Sequence, residues 1–203
     1  MEETTNNSKL ESIFKNNGGF ITREDIDNEG ISSWFLSDFV RKNNLIKVAP
    51  GFYADKSYFI DYYQVFQKRY PKYIFSGMSA LYLHKLTDKI PTDIEVVAPK
   101  DYHPCRYKIE NIIVRKISNE EIYKLGISEV KTNLGNKVKV YDEERTICDL
   151  VKYRDKYDGE TFVKALKTYI KKTNNQIKLF KYARKLGIET KLFEVLEVIS
   201  NND

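Results

Sequence analysis

Two scarcities in the sequence, of cysteine and of long apolar runs, exclude whole classes of protein. Only Cys105 and Cys148 are present, far apart and without a CxxC spacing, so neither a disulfide framework nor a structural zinc site is indicated. His84 and His103 are isolated and complete no metal-ligand pattern. No segment approaches the roughly 20 apolar residues that span a bilayer, and the beginning of the chain contains no apolar signal segment. We therefore expect a soluble, cytoplasmic protein without cofactor, metal or membrane contact.

Residues 30–55 predict a recognition helix followed by a two-stranded wing. At about 100° per residue, one face of the helix is apolar and the opposite face is left for a partner. The apolar face consists of Phe35, Leu36, Phe39 and Val40, and the opposite face consists of Trp34, Ser37, Asp38 and Arg41. Residues 45–48 and 52–54 then predict two strands joined by a turn.

Two capping patterns precede this stretch. Residues 8–11 predict the start of a helix that ends at residues 17–19, and residues 22–25 predict the start of a second, shorter helix. Gly30 provides a tight turn before the recognition helix. The order of elements is that of a winged helix-turn-helix. The alternative is a small helical adaptor domain with a hairpin that binds proteins and not DNA.

Candidate DNA contacts lie on the open face of the recognition helix and beside the wing. Ser32 is the predicted N-cap, next to free backbone N–H groups that suit a phosphate. We predict base contacts from Ser33, Trp34 and Ser37, and phosphate contacts from Arg41, Lys47 and Lys56. The alternative for Trp34 is that it packs under the start of the helix against the segment after the wing.

Three sequence motifs in this order resemble AbiEi-type antitoxins of type IV toxin-antitoxin systems. They are GFYAD at residues 51–55, SGMSALYLHKLTDKIP at 76–91 and VYDEERTICDLVKYRD at 140–155. The resemblance implies a repressor that binds repeats of double-stranded DNA in its own promoter. It also implies a partner toxin of the nucleotidyltransferase class, counteracted directly or through its substrate, and a role in phage defence by abortive infection. It implies no catalysis.

The predicted fold class is α+β, with a winged helix-turn-helix domain at residues 1–70 and an antitoxin domain at residues 71–203. A linker helix at residues 61–70 ends at Pro71, because proline disfavours helix at the residue before it. The second domain is predicted as a mixed sheet followed by a helical tail. Its predicted strands are 72–75, 92–98, 107–109, 111–117, 130–132 and 137–141, and its predicted helices are 78–86, 142–153, 159–172, 175–186 and 190–200.

An enzymatic alternative lies in the second domain. The turn from Gly77 to Ser79, followed by a strand with Asp93 and Glu95 on one face, is similar to the Mg²⁺ and triphosphate site of nucleotidyltransferases. Met78 stands where that motif has a second glycine. The antitoxin resemblance implies this layout without catalytic acids, so we expect no enzyme activity.

Positive charge is concentrated in the second domain. Residues 1–70 hold 9 basic and 10 acidic residues, whereas residues 150–191 hold 12 basic and 4 acidic residues. One interpretation is a solvated helix surface. The other is a surface for flanking DNA, RNA or the toxin system. The candidate residues are Lys164, Lys167, Lys171, Lys178, Lys181 and Lys185.

Overall fold

The computed structural model describes residues 2–57, 59–103, 111–172 and 176–200, and the chain divides into two compact units, residues 1–65 and 66–203. The division falls inside helix α4, Tyr62–Arg69, in the region predicted as a linker helix. Helices combine with two sheets, which confirms the α+β class. Among the described residues, no helix is both long enough and apolar enough to cross a membrane.

The first unit contains the helix-turn-helix and the wing. Its three-stranded sheet is antiparallel, with β3 between β1 and β2. Strand β1 was not predicted; it forms because Phe20 pairs with Ala54 and packs in the same small cluster as Phe52. The elements are α1 Glu2–Asn16, β1 Phe20–Thr22, α2 Arg23–Asn28, α3 Ser33–Lys42, β2 Ile46–Ala49 and β3 Phe52–Ala54.

One predicted helix start is wrong and the other is confirmed. Helix α1 begins at Glu2, so residues 8–11 lie inside the helix and do not cap it. At α2 the capping box is complete, because the Asp25 amide donates to Thr22 Oγ1 at 3.1 Å and the Thr22 amide donates to Asp25 Oδ2 at 2.9 Å. Gly30 forms the predicted turn with φ +67°, a conformation that favours glycine. These features position α3 on the core.

The core of the first unit is formed by apolar residues from the three helices and their connections. Leu36 and Phe39 of α3 are buried, as the helical projection predicts. The ring of Phe39 makes an edge-to-face contact with Phe14 of α1 at 5.8 Å. The opposite face of α3 is therefore the one that remains available. The buried cluster consists of Leu10, Ile21, Ile26, Ile31, Leu36, Phe39 and Leu45.

The second unit contains a mixed five-stranded sheet of order β6-β5-β4-β8-β7. The pairs β5–β6 and β4–β8 are parallel, and the pairs β4–β5 and β7–β8 are antiparallel. The strands are β4 Ile74–Phe75, β5 Ile94–Pro99, β6 Ile112–Ile117, β7 Ile127–Lys131 and β8 Lys137–Tyr141. The helices are α5 Gly77–Leu83, α6 Glu120–Lys124, α7 Glu143–Lys152, α8 Gly159–Lys172, α9 Gln176–Leu186 and α10 Glu189–Ser200.

Predictions for this sheet had mixed outcomes. The β7–β8 hairpin is confirmed, with Val130 paired to Val138. The predicted strand 107–109 lies outside the described residues. The next predicted strand, 111–117, corresponds to β6, which pairs in parallel with β5. Strand β5 begins at Ile94, so Asp93 precedes it and the predicted strand 92–98 is wrong at its start. Helix α6 was not predicted, because its five residues are too short to show a helical period.

Helix α7 lies at the centre of the main core of the second unit. Ile147, Leu150 and Val151 are buried, as predicted, in a cluster that includes residues of α5, α8, α9 and α10. The same helix also buries Arg145 and Asp149. Buried charges require partners, and Arg145 and Asp149 pair with each other.

Candidate nucleic-acid interface

The N-terminal half of α3 presents hydroxyl groups. Ser32 is the N-cap residue with an extended backbone, as predicted, but its side chain makes no capping hydrogen bond. The Ser37 hydroxyl donates to the Ser33 carbonyl at 3.0 Å, one turn earlier on the helix. All three side chains are exposed. They retain hydrogen-bonding capacity for a partner, since a hydroxyl both donates and accepts.

Trp34 lies on the surface beside these serines. It is 60% exposed, and its ring makes an edge-to-face contact with Phe35 at 5.0 Å between centroids. This exposure agrees with a surface position and disagrees with the alternative in which Trp34 packs beneath the helix. A large aromatic ring left in water is a feature of partner contacts.

The C-terminal half of α3 contains a charge cluster in which the predicted exposure of Asp38 is wrong. Asp38 was placed on the open face, yet its side chain is only 9% exposed. Its two carboxylate oxygens accept from Arg41 Nη2 at 2.6 Å and from Lys42 Nζ at 2.7 Å. These hydrogen bonds, that from Lys42 first, lower the pKa of Asp38 below its usual value. Arg41 nevertheless remains 80% exposed, with donors available for a phosphate.

The wing lysines are both exposed. Lys47 lies on β2, where it pairs across the sheet with Tyr53, and Lys56 follows the end of β3. The structure therefore places Ser33, Trp34, Ser37 and Arg41 on one helix and the two lysines on and after the wing. Lys42 is an additional exposed cation that the projection did not single out. The i, i+3, i+4 spacing from Asp38 to Arg41 and Lys42 is the signal that identifies this cluster.

The six predicted lysines of the tail do not form one uniform basic surface. Lys178 is committed to ion pairs with Asp142 Oδ2 at 3.0 Å and Glu144 Oε2 at 2.8 Å. Lys164 pairs with Asp88, and Lys167 is half-buried. The exposed members are Lys164, Lys171, Lys181 and Lys185. The prediction of a phosphate-binding face thus loses Lys178, because two carboxylates already compensate its charge.

The predicted nucleotidyltransferase residues lie in two places, with Gly77 and Ser79 at the start of α5 and Asp93 and Glu95 at the start of β5. Glu95 accepts a hydrogen bond from the Met78 backbone N–H, and its own amide donates to Ser79 Oγ at 2.9 Å. Asp93 lies before the strand and accepts from the Thr92 hydroxyl at 2.9 Å. The His84 side chain is only 9% exposed, and its Nε2 lies 2.7 Å from the Tyr141 carbonyl oxygen. Among the described residues no group of three metal-binding side chains comes together.

The sequence of most of the first unit matches a known family of regulators. Residues 8–54 match the family described as "Transcriptional regulator, AbiEi antitoxin". The matched segment begins within α1 and ends at the last residue of β3, so it contains α2, α3 and the wing. The predicted AbiEi resemblance is confirmed over these residues. The match supports an antitoxin and regulator role. A search of the curated proteins finds no match.

The fold is also found among solved structures. It is similar to the crystal structure of the RV2827C protein from Mycobacterium tuberculosis, with a TM-score of 0.59 and 13% sequence identity. The alignment covers 96% of this chain and 76% of the other. At this level of identity the likeness shows the fold alone.

Proposed function

We propose that this protein is a DNA-binding antitoxin that represses its own promoter and counteracts a nucleotidyltransferase-type toxin. The observation that carries the proposal is the AbiEi match over residues 8–54, the segment in which α3 exposes Trp34 and Arg41. Ser33, Trp34 and Ser37 read base edges in the major groove, with Ser32 beside them. Arg41, Lys42, Lys47 and Lys56 contact phosphates.

The charge of the first unit sets the character of this binding. Residues 1–65 hold 7 basic and 10 acidic residues, so the unit carries a net charge of −3. Long-range attraction to DNA is therefore weak, and affinity depends on the local cations of α3 and the wing. Residues 66–203 carry a net charge of +8 and supply whatever general attraction the full chain has.

The test measures binding of the full chain to the DNA upstream of its own reading frame and to unrelated DNA, at several salt concentrations. Trp34→Ala should lower the preference for the upstream DNA, whereas Arg41→Ala should weaken binding to both DNAs alike. The matched control is Lys15→Ala, which removes an exposed cation from α1. It should change neither the preference for the upstream DNA nor the affinity for either DNA. Absence of salt-dependent binding by the wild type to either DNA would overturn the proposal.

The antitoxin half of the proposal needs a separate assay. The chain is co-expressed with the product of the neighbouring reading frame, and growth is measured. Rescue of growth by the wild type and by the Arg41→Ala variant would assign neutralisation to a function other than DNA binding. Failure of the wild type to restore growth would contradict the antitoxin role.

A further inference from the structure

A cleft in the second unit collects charged and aromatic side chains that the proposed function does not use. It has a volume of about 130 Å³ and lies beside β5, β6 and the 3₁₀ turn Arg154–Lys156. Its walls include Glu95, Ile113, Arg115, Tyr153, Lys156 and Tyr157. Apolar walls with a few convergent polar groups are characteristic of small-molecule sites.

One side of the cleft carries a surplus of positive charge. Asp149 accepts from Arg115 Nη2 at 2.6 Å and from Arg145 Nε at 3.2 Å, so one carboxylate faces two guanidinium groups. Arg145 is 1% exposed and also donates to two backbone carbonyls. Arg115 is 22% exposed and lines the cleft. Arg115 is therefore the guanidinium of this pair that the cleft can reach, and it shares one carboxylate with Arg145.

Tyr153 holds a second cation at the same place. The Arg115 guanidinium lies 4.3 Å from the centroid of the Tyr153 ring, and Lys156 Nζ lies 5.3 Å from it. The aromatic ring thus attracts both cations through its electron-rich faces. A guanidinium and an ammonium in one cleft form a donor set suited to phosphate, since they combine planar recognition with a compact charge.

Glu95 provides an acceptor in the same cleft. Two hydrogen bonds hold its backbone. The Ser76 amide donates to the Glu95 carbonyl at 3.0 Å, and the Glu95 amide donates to Ser79 Oγ. Gly77 has φ +54°, a conformation that favours glycine, and a Cβ there would lie 1.8 Å from Glu95 Oε2, so a larger residue would displace the carboxylate. Burial raises the pKa of Glu95. Among the described residues no ion pair joins Glu95 to Arg115 or Lys156, although all three line the cleft.

We propose that this cleft binds a phosphorylated sugar, either free or as part of a nucleotide. The phosphate monoester lies between Arg115 and Lys156, and sugar hydroxyls donate to the Glu95 carboxylate. Ile113 and Tyr157 supply the apolar wall. Such a ligand satisfies the cations and the carboxylate at once, which neither inorganic phosphate nor an uncharged sugar does.

The test is calorimetric titration of the full chain with ribose 5-phosphate, adenosine 5′-monophosphate and inorganic phosphate. Ribose 5-phosphate should bind more tightly than inorganic phosphate. Lys156→Gln should weaken the binding of ribose 5-phosphate by about tenfold or more, because one charge-assisted hydrogen bond is lost. Lys191→Gln, which removes an exposed lysine of α10 that does not line the cleft, should not change the affinity for ribose 5-phosphate. Tighter binding of the nucleotide than of the free sugar phosphate would identify a nucleotide as the source.

Glu95→Gln separates recognition from structural support. The amide keeps an oxygen for the Met78 N–H but loses the full negative charge, so the preference for ribose 5-phosphate over inorganic phosphate should fall while the fold persists. Circular dichroism verifies the fold. No saturable binding of any of the three ligands, equal losses in both lysine variants, or a preference unchanged by Glu95→Gln would overturn the inference.

Discussion

Both units contain a carboxylate that accepts hydrogen bonds from two cations, but in different surroundings. In the first unit Asp38 pairs with Arg41 and Lys42, whose side chains are 80% and 57% exposed. In the second unit Asp149 pairs with Arg145 and Arg115, which are 1% and 22% exposed. The same chemistry therefore lies at the surface in one unit and inside the protein in the other.

The difference in exposure determines what each cluster contributes. Water screens the exposed cations around Asp38, so we expect that cluster to add little to folding and, under the proposed function, mainly to set the charge presented to DNA. The Asp149 cluster is largely shielded from water, except where Arg115 lines the cleft, and its members depend on one another for charge compensation. We propose that the exposed cluster serves recognition and the shielded one stability. One substitution in each cluster, and one in an ion pair of intermediate exposure, test this division.

The largest effect is expected for Asp149→Ala. The substitution leaves Arg145 buried beside Arg115 without a carboxylate, and breaking a buried pair in this way costs about 3–5 kcal/mol. The loss is measured as the change in the free energy of unfolding of the second unit, by urea denaturation of the full chain. Asp155→Ala is the matched control, since Asp155 is exposed on the neighbouring turn. The free energy of unfolding of this variant should lie within about 0.5 kcal/mol of the wild-type value. If Asp149→Ala lowers the free energy of unfolding by no more than the control does, the buried cluster does not stabilise the protein.

An intermediate effect is expected for Lys178→Met. Burial lowers the pKa of Lys178, but hydrogen bonds to Glu144 and Asp142 outweigh burial and raise it above its usual value. A raised lysine pKa adds stability that is present at neutral pH and is lost only as the pH rises through the folded-state pKa. We expect a destabilisation on the order of 1–2 kcal/mol at neutral pH, between the values for exposed and buried pairs.

Lys181→Met is the control for this prediction, because Lys181 is exposed one turn along the same helix. Thermal unfolding of both variants at neutral and strongly alkaline pH gives the comparison. The difference in unfolding temperature between the two variants should narrow at strongly alkaline pH, because Lys178 then loses its proton. If Lys178→Met and Lys181→Met unfold at the same temperature at neutral pH, the ion pairs with α7 contribute nothing measurable.

Sequence patterns predicted the helices of the tail and the core face of α3, because their apolar residues repeat with the helical period. Helix α8 was predicted with its observed bounds at Gly159–Lys172. The patterns did not predict the burial of Asp38 or the convergence of Arg115 and Arg145 on Asp149. Arg115 lies on β6 and the other two on α7, and only the tertiary fold brings them together. Periodicity reports which face is apolar, but it does not report which charges meet.

The smallest effect on stability, and the sharpest on recognition, is expected for Asp38→Asn. The amide can still accept one hydrogen bond, while the charge that offsets one of the two cations is removed. Non-specific DNA should bind more tightly, and the slope of log K against log[salt] should steepen by up to about 0.9, the contribution of one additional phosphate contact. Preference for the upstream DNA should fall, because Arg41 and Lys42 lose the carboxylate that orients them.

Acid stability gives this last prediction a second measurement. The folded-state pKa of Asp38 is lowered, so its pairing stabilises the protein above the unfolded-state pKa and ceases to do so as the pH falls through the folded-state value. Wild type and Asp38→Asn should therefore converge in stability at low pH. Asp55→Asn is the control, since Asp55 also has a lowered pKa but its hydrogen bonds come from Ser57 and not from a cation, so its salt slope should match wild type. An unchanged slope for Asp38→Asn would mean that Arg41 and Lys42 do not meet phosphate, and the surface cluster would then have no role in recognition.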